Sequence, residues 1–257
     1  MPNWELGAWN ADLVSLALVL LVIFGAAIVK GAIGFGFPLI SVPLIAIILD
    51  ARSAVIILSV ASLVSSAGIL FRGGGSRATL RRLAPTLAGL GVGTIGGALL
   101  VASIDASRLG LVVGASALIF VATSALKPDL AIPTRLERYL ALPMGLLGGL
   151  LGGSTSIFSP VVVAYLHTLH LVRREFVFFL TVLFVVGGLV QVTSYARLGL
   201  YDARLLLIIL LSCIPNLGGV QLGIRLQDRL DPVLFRRLVL AVITLSGLNL
   251  LGKGLWG

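Results

Sequence analysis

Apolar runs fall at 13–29, 33–49, 53–71, 83–101 and 109–126, then at 139–151, 157–171, 176–196, 204–224 and 233–251, and short polar joints separate them. A bilayer core takes roughly 20 residues of helix, with a range of about 17–25. The third to fifth runs of each set of five meet that length. The first two runs of each set are shorter or abut a glycine cluster, especially 139–151 and 157–171. Each such pair reads either as two short crossings or as a re-entrant hairpin that turns inside the membrane. The pattern predicts an all-α, polytopic membrane protein of two inverted-topology repeats with about 8–10 membrane segments. Its divisions are a tail over 1–12, a first repeat over 13–126, a cytoplasmic loop over 127–138 and a second repeat over 139–257.

Two glycine-dense stretches punctuate this pattern. The first is Lys30-Gly31-Ala32-Ile33-Gly34-Phe35-Gly36-Phe37-Pro38, and its counterpart runs from Gly148 through Gly153-Ser154-Thr155-Ser156 to Pro160. Each glycine inside a helix costs up to about 1 kcal/mol relative to alanine, so both stretches predict helix breaks. Irregular backbone at membrane depth survives only where protein or a watery cavity covers its polar groups. Matching breaks in two halves of a membrane protein point to a transporter's binding site.

Three further markers recur in the same order in both halves. Pro43 matches Pro160, Gly96-Gly97 matches Gly218-Gly219, and Asp105 matches Asp231. Asp105 and Asp231 both read as helix N-caps, and Pro232 fits the first helical position. Charge counting then orients the halves. With the N-terminus outside and each glycine-broken pair returning the chain to its own side, 14 Lys and Arg lie inside and 5 outside. With single crossings instead, and Lys30 uncounted, the split is 10 to 8. The first arrangement satisfies the positive-inside rule, and it gives each half an odd number of crossings.

Composition supports the membrane reading. Hydrophobic residues make up 58% of the 257 and charged residues 11%, against roughly 25% charged in soluble domains. No room is left for a soluble domain. The net charge of +9 is accounted for by basic cytoplasmic loops, so no nucleic-acid partner is implied. The single cysteine, Cys213, excludes an internal disulfide. No basic residue precedes the first apolar run, so the N-terminus is expected to be retained rather than removed as a signal peptide.

The candidate site follows from the breaks. Lys30 is the only basic residue beside one; it either attracts an anion into a cavity or snorkels to the inner interface. Backbone N–H groups at Gly34, Phe35, Gly36 and Phe37, and from Gly153 to Ser156, are candidate oxyanion donors, with Pro38 and Pro160 near the helix restarts. The hydroxyls of Ser154, Thr155 and Ser156 add further donors. Gln191 and the Pro215-Asn216 pair sit within full spans, where they line a pathway or tie helices together. Ser59, Ser62, Ser65 and Ser66 read as small packing residues, and His167 and His170 as solvated histidines near the inner face. All ten acidic residues fall at run ends or in loops, so neither a carboxylate proton relay nor an acidic cation site is visible. No phosphate-binding loop, zinc-ligand motif or serine elbow is present. No enzyme chemistry and no cofactor are expected.

The Lys30–Pro43 segment and the later Gly145–Pro160 segment resemble the paired signatures of the TauE/SafE sulfite exporter family. The similarity runs over nearly the whole chain. Ser154-Thr155-Ser156 stands where many members carry more glycine. The resemblance implies a bacterial inner-membrane transporter for sulfite or for organosulfonates such as sulfoacetate, driven by an ion gradient rather than ATP. The leading expectation is a secondary transporter of small anions that alternates access around a site between the breaks, with the lipid bilayer as its medium. A proton or sodium ion is the candidate coupling partner, and a homo-oligomer is compatible with the sequence. A passive channel for anions or small neutral solutes is the alternative, and a membrane-embedded assembly partner a third.

Overall fold

Among the described residues ten helices, five in each half, follow the apolar runs: α1 Leu13–Ile33, α2 Phe37–Ile48, α3 Ala51–Leu70, α4 Arg77–Ser103 and α5 Ala106–Leu126, then α6 Thr134–Thr155, α7 Ser159–Thr168, α8 Arg173–Arg197, α9 Ala203–Leu226 and α10 Pro232–Trp256. The computed structural model describes residues 13–70, 77–126, 134–169, 171–227 and 231–256, and among them there is no strand. The tail over 1–12, most of the loop over 127–138, His170 and several loop charges, among them Arg72, Lys127, Asp129, Asp228 and Arg229, lie outside the described residues.

Among the described residues seven helices are long and apolar enough to cross a bilayer: α1, α3, α4, α5, α8, α9 and α10. Six of these are the expected third to fifth helices of each half. The seventh, α1, reaches 21 residues because it continues past the first apolar run through Lys30 to Ile33. Helix α6 has 22 residues but opens on Arg135, Glu137 and Arg138. Helices α2 and α7 have only 12 and 10 residues. Large apolar side chains on the outer faces, such as Leu21, Val92, Leu210, Ile214 and Leu245, are exposed. A belt of that kind is a liability in water and the expected solvent match in lipid.

Among the described residues the acidic side chains sit at or just before the helix starts, which keeps them out of mid-span. Asp50 accepts from the Ser53 N–H at 2.9 Å, Asp105 from Arg108 at 2.8 Å and Asp202 from Leu205 at 2.7 Å. Each covers a backbone donor that the first helical turn leaves without an intrahelical partner. The Arg108 N–H holds the Asp105 carboxyl below its ordinary range. Helix α5 begins directly after Asp105, and α10 begins at Pro232 directly after Asp231, as their capping chemistry predicts.

The halves pack reciprocally. The fourth helix of each half lies on the first helix of the other, α4 on α6 and α9 on α1. The third helices α3 and α8 pack on each other, as do the fifth helices α5 and α10. The second helix of each half touches the fifth of the other, α2 with α10 and α7 with α5.

Glycine makes the α4–α6 contact close enough for backbone to meet backbone. Gly89, Gly93 and Gly97 on α4 face Gly145, Gly149 and Gly153 on α6; a Cβ on Gly93 would lie 2.1 Å from the Leu146 carbonyl, and one on Gly149 2.2 Å from that of Leu90. Small residues at four-residue spacing permit this approach between membrane helices. The second glycine stretch is therefore not a break along its whole length. Helix α6 runs unbroken through Gly148–Gly153 to Thr155, because it keeps its own hydrogen-bond ladder while α4 fills the space the missing side chains leave. Only residues 156–158 depart from helix.

Candidate functional site

Helix stops at Ile33 and resumes at Phe37 in the first half; it stops at Thr155 and resumes at Ser159 in the second. Gly34 and Gly36 have φ of 88° and 93°, and Ser156 has φ of 60°. Glycine takes this left-handed backbone freely, whereas serine takes it at a cost. The N–H of Gly34 closes on the Lys30 carbonyl at 2.7 Å, and that of Ser156 on the Gly152 carbonyl at 2.7 Å. Pro38 and Pro160 each stand within the first two helical positions beyond the gap. Pro160 therefore stands where Pro38 does. Proline near a helix start needs no N–H partner, which suits Pro38 and Pro160, whereas Pro43, the expected partner of Pro160, lies inside α2.

Both gaps open on one cavity. The first gap contributes Phe35, Gly36 and Pro38, and the second contributes Ser156, Phe158 and Ser159. Lys30 from α1, Ser62 from α3 and Phe184 from α8 complete the lining. The enclosed room is about that of one water molecule. Neither α2 nor α7 has a side-chain cap on its first turn, so the positive ends of two helices frame this space.

Lys30 is 1% exposed, the only fully buried charged side chain among the described residues. Its Nζ donates to the Ser65 and Ser66 hydroxyls, each at 2.8 Å, and to the Ser62 carbonyl at 3.1 Å. The two hydroxyls donate onward to carbonyls of α3, so they face the ammonium as acceptors. All three ammonium hydrogens are thereby satisfied. The Phe37 ring lies 5.7 Å away. Charge compensation is another matter: among the described residues no carboxylate pairs with Lys30. Ser62, Ser65 and Ser66 were expected to be packing residues. Their i, i+3, i+4 spacing on one helix face was the available signal for a shared partner, and the residue that needed three oxygens lay on another helix. Ser59 instead meets the Tyr201 hydroxyl at 2.8 Å.

The second gap is fastened by α8. Ser156 Oγ donates to the Val55 carbonyl at 3.0 Å and accepts from Gln191 Nε2 at 3.0 Å. That amide nitrogen also lies within reach of the Gly152 carbonyl and the Tyr195 hydroxyl, at 3.1 and 3.0 Å. Tyr195 donates to the Gly153 carbonyl at 2.7 Å. Gln191 and Tyr195, one helical turn apart, thus cover carbonyls at the end of α6. Tyr195 was not anticipated; its position four residues after Gln191 was the only sign.

The remaining candidates are placed as follows. Gly34 and Phe37 shape the first gap, while Gly153 packs on the Thr94 backbone of α4. The Ser154 and Thr155 hydroxyls donate back to Leu150 and Leu151 within α6 and do not line the cavity. Asn216 reaches the Ala61 carbonyl at 2.6 Å, tying α9 to α3, and its buried Oδ1 has no protein partner. His167 is exposed, with its ring 4.9 Å from that of Phe176.

Comparison with curated proteins and with solved structures finds no match. The family model described as Sulfite exporter TauE/SafE matches residues 19–250, a stretch that begins in α1, ends in α10 and includes both gaps and every residue of the cavity. The chain, all-helical and with seven span-length helices among its described residues, therefore belongs to the TauE/SafE sulfite exporter family, whose members are membrane transporters rather than enzymes.

Proposed function

We propose that this protein is a secondary active transporter that moves a small anion, sulfite or an organosulfonate, across the membrane by alternating access at the cavity between the two gaps. The observation that carries this reading is Lys30. A buried ammonium whose hydrogens are satisfied but whose charge is not lacks only a counter-charge, which an anion supplies. The uncapped starts of α2 and α7 add backbone dipoles of the same sign at the same place. Ser156, held by Gln191, fixes one wall, and Asn216 steadies the helix that carries the serines.

The reciprocal packing of the halves supports an approximate two-fold relation between them. Combined with the excess of basic residues in alternate loops, it supports repeats inverted in the bilayer, in a bacterial inner membrane with the N-terminus outside. A cavity with room for about one water must widen to admit a sulfur oxyanion. That supports a cycle of closed and open states rather than a standing pore.

The test is counterflow in vesicles reconstituted with the purified chain. Labelled sulfite outside should accumulate transiently against unlabelled sulfite inside, and Lys30→Ala should abolish the accumulation. Linear, unsaturable flux without counterflow would replace the carrier with a channel.

A further inference from the structure

The second half lacks a counterpart of Lys30, and the reason is visible in the packing. Position 152 is to the second gap what position 30 is to the first: each carbonyl receives the N–H of the left-handed residue four places on. Gly152 stands there instead of a lysine. A Cβ on it would lie 1.9 Å from the Phe158 ring, so the phenyl group fills the volume that a second cationic side chain would need. Phe158 in turn occupies the place that Gly36 holds in the first gap. The two gaps have exchanged glycine and side chain, and the exchange leaves one ammonium in a cavity lined also by three rings, those of Phe35, Phe158 and Phe184. The Phe158 and Phe184 rings are held 6.3 Å apart. Among the described residues no acidic and no other basic residue lines the cavity. Arg52, the one cation of α3, donates to the Ile104 carbonyl just beyond the end of α4 instead.

Resting on the anion-site reading above, we infer that the cavity selects singly charged oxyanions, bare or carrying a small apolar group, against doubly charged ones. Its ligands are of the hydrogensulfite and short alkanesulfonate class. Lys30 neutralises one negative charge. A second would lie among apolar aromatic rings with no further cation to receive it, and the starts of α2 and α7 offer it only partial charges. An unpaired charge in such surroundings is strongly disfavoured. The apolar tail of an alkanesulfonate meets the same rings favourably.

Methanesulfonate and sulfate make the decisive pair, because they are close in size and shape and differ by one charge. Calorimetric titration of the full chain in phosphatidylcholine nanodiscs should give methanesulfonate a Kd at least about tenfold below that of sulfate, where tenfold corresponds to about 1.4 kcal/mol. Sulfoacetate, ionised at both ends, should fall with sulfate. Equal or tighter binding of the two dianions, with all binding lost in Lys30→Met, would overturn the charge selection and leave the anion site standing. Binding that survives Lys30→Met unchanged would overturn the site and the selection together. The double variant Gly152→Lys with Phe158→Gly transplants the first gap's pair into the second. If it folds, it should shift preference toward sulfoacetate by about tenfold or more; a folded variant with the original preference would count against the inference. The wild-type series decides the question even where the variant does not fold.

Discussion

Gly34 and Ser156 occupy one position in two halves of the chain. Each directly follows or closely trails the last turn of its helix, each is left-handed, and each returns its N–H to the carbonyl four residues back at 2.7 Å. They stand 122 positions apart, as Ile33 does from Thr155 and Phe37 from Ser159. The serine bears a backbone penalty of about 1–2 kcal/mol that the glycine does not. In exchange its hydroxyl ties the gap to α3 and α8. Ser156→Gly should be close to neutral in thermal stability, because relief of the backbone offsets the lost hydrogen bonds. Ser156→Ala should lose about 1–3 kcal/mol, since it keeps the penalty and leaves the Val55 carbonyl without its donor. A scan of melting midpoints in detergent checks this order. An alanine variant as stable as the glycine variant would contradict it.

Lys30 separates stability from function. Lys30→Met nearly keeps the length of the side chain and removes an unpaired buried charge. Replacements of buried charge by well-packed apolar groups are commonly neutral or stabilising, and Ser65 and Ser66 retain their carbonyl acceptors. The melting midpoint should therefore hold or rise while anion affinity falls by about 30-fold or more. A variant that loses stability and affinity together would mark the lysine as a structural strut.

Adjacent glycines should respond oppositely to alanine. A Cβ on Gly219 would lie 2.6 Å from the Phe24 carbonyl, whereas one on Gly218 meets nothing within 4 Å. Gly97 is likewise obstructed, at 2.4 Å from the Leu150 carbonyl, while Gly96 has only an ordinary contact at 3.5 Å. Gly219→Ala and Gly97→Ala should each cost about 2–4 kcal/mol. Gly218→Ala and Gly96→Ala should be neutral or gain up to about 1 kcal/mol from helix propensity. Denaturant titration in mixed micelles measures the contrast directly.

Tyr195→Phe removes the donor to the Gly153 carbonyl without changing the ring. The loss should be about 1–2 kcal/mol, the cost of a buried acceptor left without its partner. Transport affinity should change less than in Lys30→Met, because Tyr195 reaches the cavity only through Gln191 and Ser156. An affinity loss equal to that of the lysine variant would place the tyrosine at the substrate.

The hydrophobic pattern alone determined that the chain is helical, membrane-embedded and built as five helices and then five, because a bilayer demands long apolar segments and rejects mid-span charge. Glycine at 34 and 36 announced the first gap, since few other residues take that backbone. Which glycines of the second stretch break the helix and which admit a neighbour could not be read locally. Gly149 and Gly153 look like breakers in sequence and are helix-packing contacts in space, because only the approach of α4 tells the two roles apart. Lys30 illustrates the same division. Its place beside a gap was legible, but its choice between interface and cavity depended on three oxygens from α3, 32 to 36 residues away. Tertiary packing made that choice, because satisfying a buried ammonium requires several acceptors converging from outside its own helix.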